Sequence, residues 1–156
     1  LGSWLNKETQ AELWTKPIPH GTLMHNTETR IWITSEASIT QAVLAAKKFS
    51  VQVGFKDYQA SMIASAVSEL ARNIEKYARR GEIVLRRVSQ SYATGIEIIA
   101  QDEGPGIANP EEAMKDHYSS SGTLGLGLPG VKRLMDEFDL KTEVERGTVI
   151  TVRKWL

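Results

Sequence analysis

A carboxylate and a carboxamide stand four positions apart in Glu69-Leu-Ala-Arg-Asn73. A second carboxylate leads into a glycine turn in Asp102-Glu-Gly-Pro-Gly106, and Gly122-Thr-Leu-Gly-Leu-Gly127-Leu-Pro-Gly130 is glycine-rich. Four apart on a helix, Glu69 and Asn73 project from one face. A carboxylate there can accept a hydroxyl proton or orient an attacking oxygen. A neutral carboxamide oxygen suits Mg²⁺, a hard ion that keeps several waters and shares its other positions with phosphate oxygens. Asp102, backed by glycines that admit a ligand to the backbone, can accept a hydrogen bond from an adenine amino group. The glycine run opens a helix, where backbone N–H groups bind phosphate, and Ser119, Ser120, Ser121 and Thr123 add hydroxyls beside it. Singly, each block also reads as something ordinary: an exposed polar pair, a common Asp/Gly/Pro turn, a flexible connector. Together they describe Mg·ATP and phosphate transfer.

Other chemistries fit less well. Gly125, Gly127 and Gly130 form a literal G-x-G-x-x-G, and Glu145 falls where a dinucleotide site would have its ribose ligand. The context argues against that reading, because His117 to Thr123 reads as loop rather than buried strand and no parallel βαβ unit follows. There is no G-x-x-x-x-G-K-S/T, H-E-x-x-H, kinase H-R-D or D-F-G set, or G-x-S-x-G. His20, His25 and His117 are too scattered for a metal cluster.

The elements that must hold these residues follow from hydrophobic periodicity. Arg30 to Ser35 alternates like a half-buried strand. Ser35 or Ser38 caps a helix in which Ile39, Val43, Leu44 and Phe49 recur at helical spacing up to a stop at Gly54. A second helix runs from near Asp57 to about Arg79, with Met62, Ile63, Ala66, Val67, Leu70, Ile74 and Tyr77 as its buried stripe and Gly81 ending it. Glu69 and Asn73 lie at the border of that stripe.

The period then changes. Residues 82–88 and 95–101 read as strands joined by a polar turn over Ser89 to Thr94, with Asp102 following the second strand. Gly104 to Thr123 reads as a loop with a short helix around Pro110 to Lys115, and Leu128 to Phe138 as a third helix. Leu140–Glu145 and Thr148–Trp155 close the chain as strands around Arg146-Gly147. Short connections imply a mixed, mostly antiparallel sheet with helices on one face: a two-layer α/β (α+β) sandwich.

Composition bounds the rest. The 156 residues make one domain with room for a core. Lys plus Arg and Asp plus Glu are both 19, so no global field draws the chain to nucleic acid or an acidic membrane. With no cysteine there are no disulfides and no thiol chemistry. No apolar stretch nears the roughly 20 residues that span a bilayer, and Leu1 to Lys7 lacks a signal peptide's charged head and apolar centre. A soluble cytoplasmic protein is expected. Residues 1–28, with Pro17, Pro19 and scattered apolar residues, read as an N-terminal extension, added or disordered, with Met24 a candidate natural start.

The order and spacing of the three blocks resemble the nucleotide-binding boxes of the GHKL superfamily, which includes histidine kinases, gyrase, Hsp90 and MutL. Ser68 to Ile74, Tyr77-Ala78, Gly127 to Phe138, Gly147-Thr148 and Lys154-Trp155-Leu156 are similar to the RsbT-like switch kinases of bacterial stress responses. The likeness covers residues 30–156 and implies a Bergerat (histidine-kinase-like ATPase) fold over 29–156. It also implies ATP and Mg²⁺ as cofactors. Glu69 would be the base, Asn73 the Mg²⁺ ligand, and Asp102 the adenine contact. Gly104, Gly106, Ser121, Gly122, Thr123, Leu124, Gly125, Leu126, Gly127 and Thr148 would complete the nucleotide site. Gly104, Gly106, Gly125 and Gly127 would let nucleotide and lid close together. Ala108 to Gly122 would be that lid; it contains no arginine, and Lys115 is a candidate phosphate contact.

Such kinases phosphorylate a serine or threonine of a STAS-domain protein held in a large signalling complex. Once released, they activate a metal-dependent serine phosphatase. The alternatives are an anti-sigma kinase of the RsbW type and a non-catalytic ATP-binding phosphatase activator. A histidine-kinase catalytic domain is disfavoured, since His20 beside Pro19 cannot sit on a dimerisation helix.

Overall fold

The computed structural model describes residues 28–78, 80–115 and 127–156. Strand β1 (Glu28–Ile33) precedes helices α1 (Glu36–Val53) and α2 (Asp57–Ala78), then strands β2 (Gly81–Gln90) and β3 (Ala93–Asp102). Helices α3 (Pro110–Ala113) and α4 (Gly127–Leu134) follow, and β4 (Glu137–Glu143) and β5 (Gly147–Trp155) close the chain. The strands form one sheet in the order β1-β2-β3-β5-β4, and all four pairings are antiparallel, the antiparallel limit of the expected sheet.

Strand alternation decides where the helices lie. Ile31, Ile83, Leu85, Ile98 and Ile150 face the same way and share one core with Ile63, Val67, Leu70 and Ile74 of α2. Among the described residues, Val84, Ile99 and Val149 form a separate small apolar cluster. The helices therefore cover one face, giving the two-layer sandwich.

Helix α1 begins where expected. Ser35 accepts from the Ser38 N–H while Ser38 Oγ accepts from the Ser35 N–H, so two N-terminal donors are satisfied reciprocally. Gly54, at φ 124°, ends it. Within α1 the buried apolar positions are Ile39, Ala42, Ala46, Phe49 and Val53, and Leu44 is exposed. The alanines allow close approach to the rest of the core, which turns the helix so that Leu44 faces solvent.

Other expectations shift too. Tyr77, placed on the α2 stripe, is exposed, and Met62 is half-buried. Gly81 does not merely end α2; it starts β2, where a side chain would meet Ile74 at 2.7 Å and the Gln101 carbonyl. The β2–β3 turn narrows to Ser91-Tyr92, with Ser91 at φ 55°. Asp102 is the last residue of β3 rather than the residue after it. Helix α4 stops at Leu134, four residues short of Phe138. There Lys154 Nζ takes the Leu134 carbonyl at 2.9 Å, and the Asp136 N–H donates to the Arg153 carbonyl at 2.9 Å. Those bonds recruit Phe138 into β4.

Candidate functional site

The C-terminal half of α2 touches two of the three sequence blocks. Near its middle, Glu69 Oε2 accepts the backbone N–H of Gly127, the first residue of α4, at 3.2 Å. At its end, a Cβ on Gly104 would lie 2.6 Å from the Ala78 Cβ, so the Asp102–Gly106 turn packs directly on the helix. From residue 69 to residue 78 the helical rise is about 13 Å, the scale of an extended nucleoside triphosphate. Asn73 lies between, half-buried, on the turn after Glu69. The stripe Leu70, Ala71 and Ile74 is fully buried, which fixes the helix's rotation and sets Glu69 and Asn73 at its edge.

Asp102 is buried beside Thr148, its cross-strand partner on β5. Its Oδ1 accepts the Gly104 N–H at 2.9 Å. Burial raises its pKa above the ordinary carboxylate value; hydrogen bonds from the Gly104 and Thr148 backbone N–H groups act the other way and do not cancel it. Holding a carboxylate in that setting costs stability, which makes Asp102 a candidate functional group.

The turn after Asp102 is pinned at both ends. The Glu145 N–H donates to the Pro105 carbonyl at 2.8 Å, and the Ile107 N–H donates to Thr142 Oγ1 at 2.7 Å. Gly106, at φ 74°, leaves no room for a side chain against the Glu143 carbonyl. Gly104 and Gly106 are thus needed by close packing of the protein on itself, a reason different from the one the resemblance implies.

Gly147 was not among the expected site residues, although its place in the Arg146-Gly147 turn was the available signal. It has φ 128°, and any side chain there would run into the Asp102 carbonyl. Gly147→Ala is expected to lose about 2–4 kcal/mol of stability, combining backbone strain with overpacking. Urea unfolding measures it, and a loss under about 0.5 kcal/mol would contradict the packing described. Thr142 was missed as well; the period-two pattern of Phe138, Leu140 and Thr142 was the signal that could have found it.

Of the expected nucleotide residues, Ser121, Gly122, Thr123, Leu124, Gly125 and Leu126 lie outside the described residues, as do Ser119, Ser120 and the three histidines. Residues 1–27 of the expected N-terminal extension do too. Lys115 pairs with Glu112 at 3.0 Å and is well exposed. Among the described residues no cluster of three acidic or histidine side chains could hold a metal ion. Asn73, a half-buried carboxamide at the edge of α2, is the side chain that would share Mg²⁺ with the phosphate oxygens of a bound nucleotide. Among the described residues no helix is long and apolar enough to cross a membrane.

Residues 33–154 match the family described as Histidine kinase-like ATPase domain. The serine/threonine-protein kinase RsbT of Bacillus subtilis is 43% identical over 131 residues, covering 84% of this chain and 98% of its own length. An anti-sigma F factor of Clostridium acetobutylicum is 34% identical over 98 residues, covering 59% of this chain and 67% of its own. Among solved structures, the mycobacterial sensor histidine kinase MprB aligns over 82% of this chain and 97% of its own, at 20% identity and a TM-score of 0.48.

Proposed function

The chain belongs to the histidine kinase-like ATPase family and is an RsbT-like serine/threonine kinase; we propose that its acceptor is a serine or threonine on a STAS-domain protein. Once released from that partner's complex, it binds and activates a metal-dependent serine phosphatase. The observation that carries this reading is the near-complete coverage of RsbT at 43% identity. The contact between Glu69 and the first N–H of α4 supports the chemistry.

In this reading the adenine amino group donates to Asp102, and the polyphosphate runs along α2 toward Gly127. Mg²⁺ held by Asn73 and phosphate oxygens would neutralise charge on the transferred group. The Gly127 N–H that Glu69 accepts is also a donor that a phosphate oxygen could take. Phosphate arriving there would leave Glu69 free to face the acceptor hydroxyl. Glu69 then takes the hydroxyl proton as the acceptor oxygen bonds to the γ-phosphorus. The bond from that phosphorus to the β–γ bridging oxygen breaks, and ADP leaves.

An anti-sigma role is the second reading, favoured by the anti-sigma F relatives, but their identity and coverage are lower. Partner capture separates the two. The immobilised protein with Mg·ATP is expected to retain the STAS-domain protein and the phosphatase and to let sigma factors pass. Retention of a sigma factor without the phosphatase would overturn the proposal in favour of the second reading.

A further inference from the structure

Strand alternation puts Arg30, Val84, Ile99 and Thr151 side by side on the sheet face opposite the helices, with Glu82, Gln101 and Val149 in the next row. Among the described residues, every helix buries its apolar side in the core on the other face. A bare face would leave central side chains partly wet, yet Val84 is 0% and Ile99 1% exposed. The charged side chains beside them are turned to one another. Arg86 pairs with Glu28 at 3.2 Å and Glu97 at 3.8 Å, and Arg153 with Glu97 at 2.7 Å, in a row along one side of the patch. On the other side, Gln101 is 7% exposed, and its Oε1 is buried with no hydrogen-bond partner among the described residues. An orphaned buried acceptor is costly, so this position calls for a donor.

Whatever covers the patch must therefore bring apolar side chains for Val84, Ile99 and Val149 and an N–H for Gln101. Residues 1–27, which lie outside the described residues, contain Trp4, Leu5, Leu13, Trp14 and Ile18. An indole meets both demands, with an apolar ring and an N–H that only donates. The segment joins the fold at Glu28, on this same face, where Arg86 holds the Glu28 carboxylate. From there the patch lies one to three strand spacings away, about 5–15 Å, while a segment of that length reaches up to about 90 Å when extended. We infer that residues 1–27 fold back over the outer face of their own sheet, seating apolar side chains on Val84, Ile99 and Val149 and giving an N–H to Gln101 Oε1.

Paramagnetic broadening in the full chain tests this, because the chain has no cysteine and four tryptophans, Trp4, Trp14, Trp32 and Trp155. One nitroxide is placed through Asp139→Cys, at an exposed position on the outer face beside Thr151. In a separate sample another is placed through Lys48→Cys, exposed on α1 on the helical side. Trp4→Phe and Trp14→Phe assign the two indole signals. Trp155, whose indole N–H donates to Glu137 on the strand that carries the first label, is the positive control. The Asp139 label is expected to remove most of the intensity of the Trp4 or Trp14 indole signal, and the Lys48 label to leave both nearly unchanged. A loss from the Lys48 label as large or larger would mean a tail with no seat on the sheet. No loss from either would mean a face covered by its own side chains. Each result overturns the inference. Nitroxide-labelled chain mixed with isotope-enriched, unlabelled chain should produce no loss. Loss in that mixture would mean that a second copy covers the face, and would overturn the inference as well.

Discussion

Replacing Glu69 with glutamine is expected to slow phosphate transfer about 10²- to 10⁴-fold while ATP binding stays within about threefold of wild type. The substitution keeps an oxygen that can accept the Gly127 N–H, so the contact between α2 and α4 survives. What it removes is basicity. Glu69→Ala removes the contact as well, leaving the Gly127 N–H to water or phosphate, and is expected to be at least as slow in transfer. Single-turnover transfer at saturating ATP and nucleotide titration measure the two quantities separately. Wild-type transfer by the glutamine variant would rule out proton acceptance by Glu69. Loss of ATP binding would move Glu69 from the chemistry to nucleotide binding.

Asp102→Asn carries the second large effect, expected as about 10- to 100-fold weaker ATP binding. With its carbonyl oxygen held by the Gly104 N–H, the new amide would point a donor at the adenine amino donor. The wild-type carboxylate also makes opposing predictions for pH. Its pKa is raised in the folded protein above the ordinary 3.8, mainly by burial. The folded state therefore binds this proton more readily than the unfolded chain does. Asp102's stabilising contribution is complete below pH 3.8 and is lost as pH rises through the folded pKa. ATP binding runs the other way, weakening as pH falls through that pKa and the acceptor is protonated. Nucleotide titrations and urea melts between pH 4 and pH 7, on wild type and Asp102→Asn, check both signs. The variant should lack this contribution in each. Parallel rather than opposing trends in wild type would contradict the assignment.

How much could be read in advance depended on which force decided each residue's place. Helix α2 was legible because Ile63, Val67, Leu70 and Ile74 repeat at the helical period without competition, and that period alone puts Glu69 and Asn73 on a shared edge. Ser35 and Gly54 were legible because capping is local chemistry. The end of α4 was not. Leu134, Met135 and Phe138 keep a helical spacing, and the bonds that stop the helix come from Arg153 and Lys154 on a strand fifteen or more residues later. Leu44 was misplaced because small alanines, not the larger residue, chose the buried face of α1.

At the site, Asp102 and Thr148 could be named from motifs and resemblance, and the structure adds that they are cross-strand neighbours. Their supports were signalled only by the Arg146-Gly147 turn and the period-two pattern of β4, which mark the positions but not the partners. Gly147 is required by the Asp102 carbonyl, and Thr142 by an N–H on another loop, and neither demand is written near the residue that meets it. The distinct reason for Gly104 and Gly106, close approach of the chain to itself, likewise depends on Ala78 and Glu143, which only folding brings alongside.

Transfer of label from γ-labelled ATP and Mg²⁺ to a STAS-domain protein from the same source, with the modified residue mapped, tests the central claim most directly. The proposal predicts label on one serine or threonine of that protein with wild type and none above background with Glu69→Ala. A STAS-domain protein that is folded, binds the kinase and stays unlabelled while ATP is bound would contradict it.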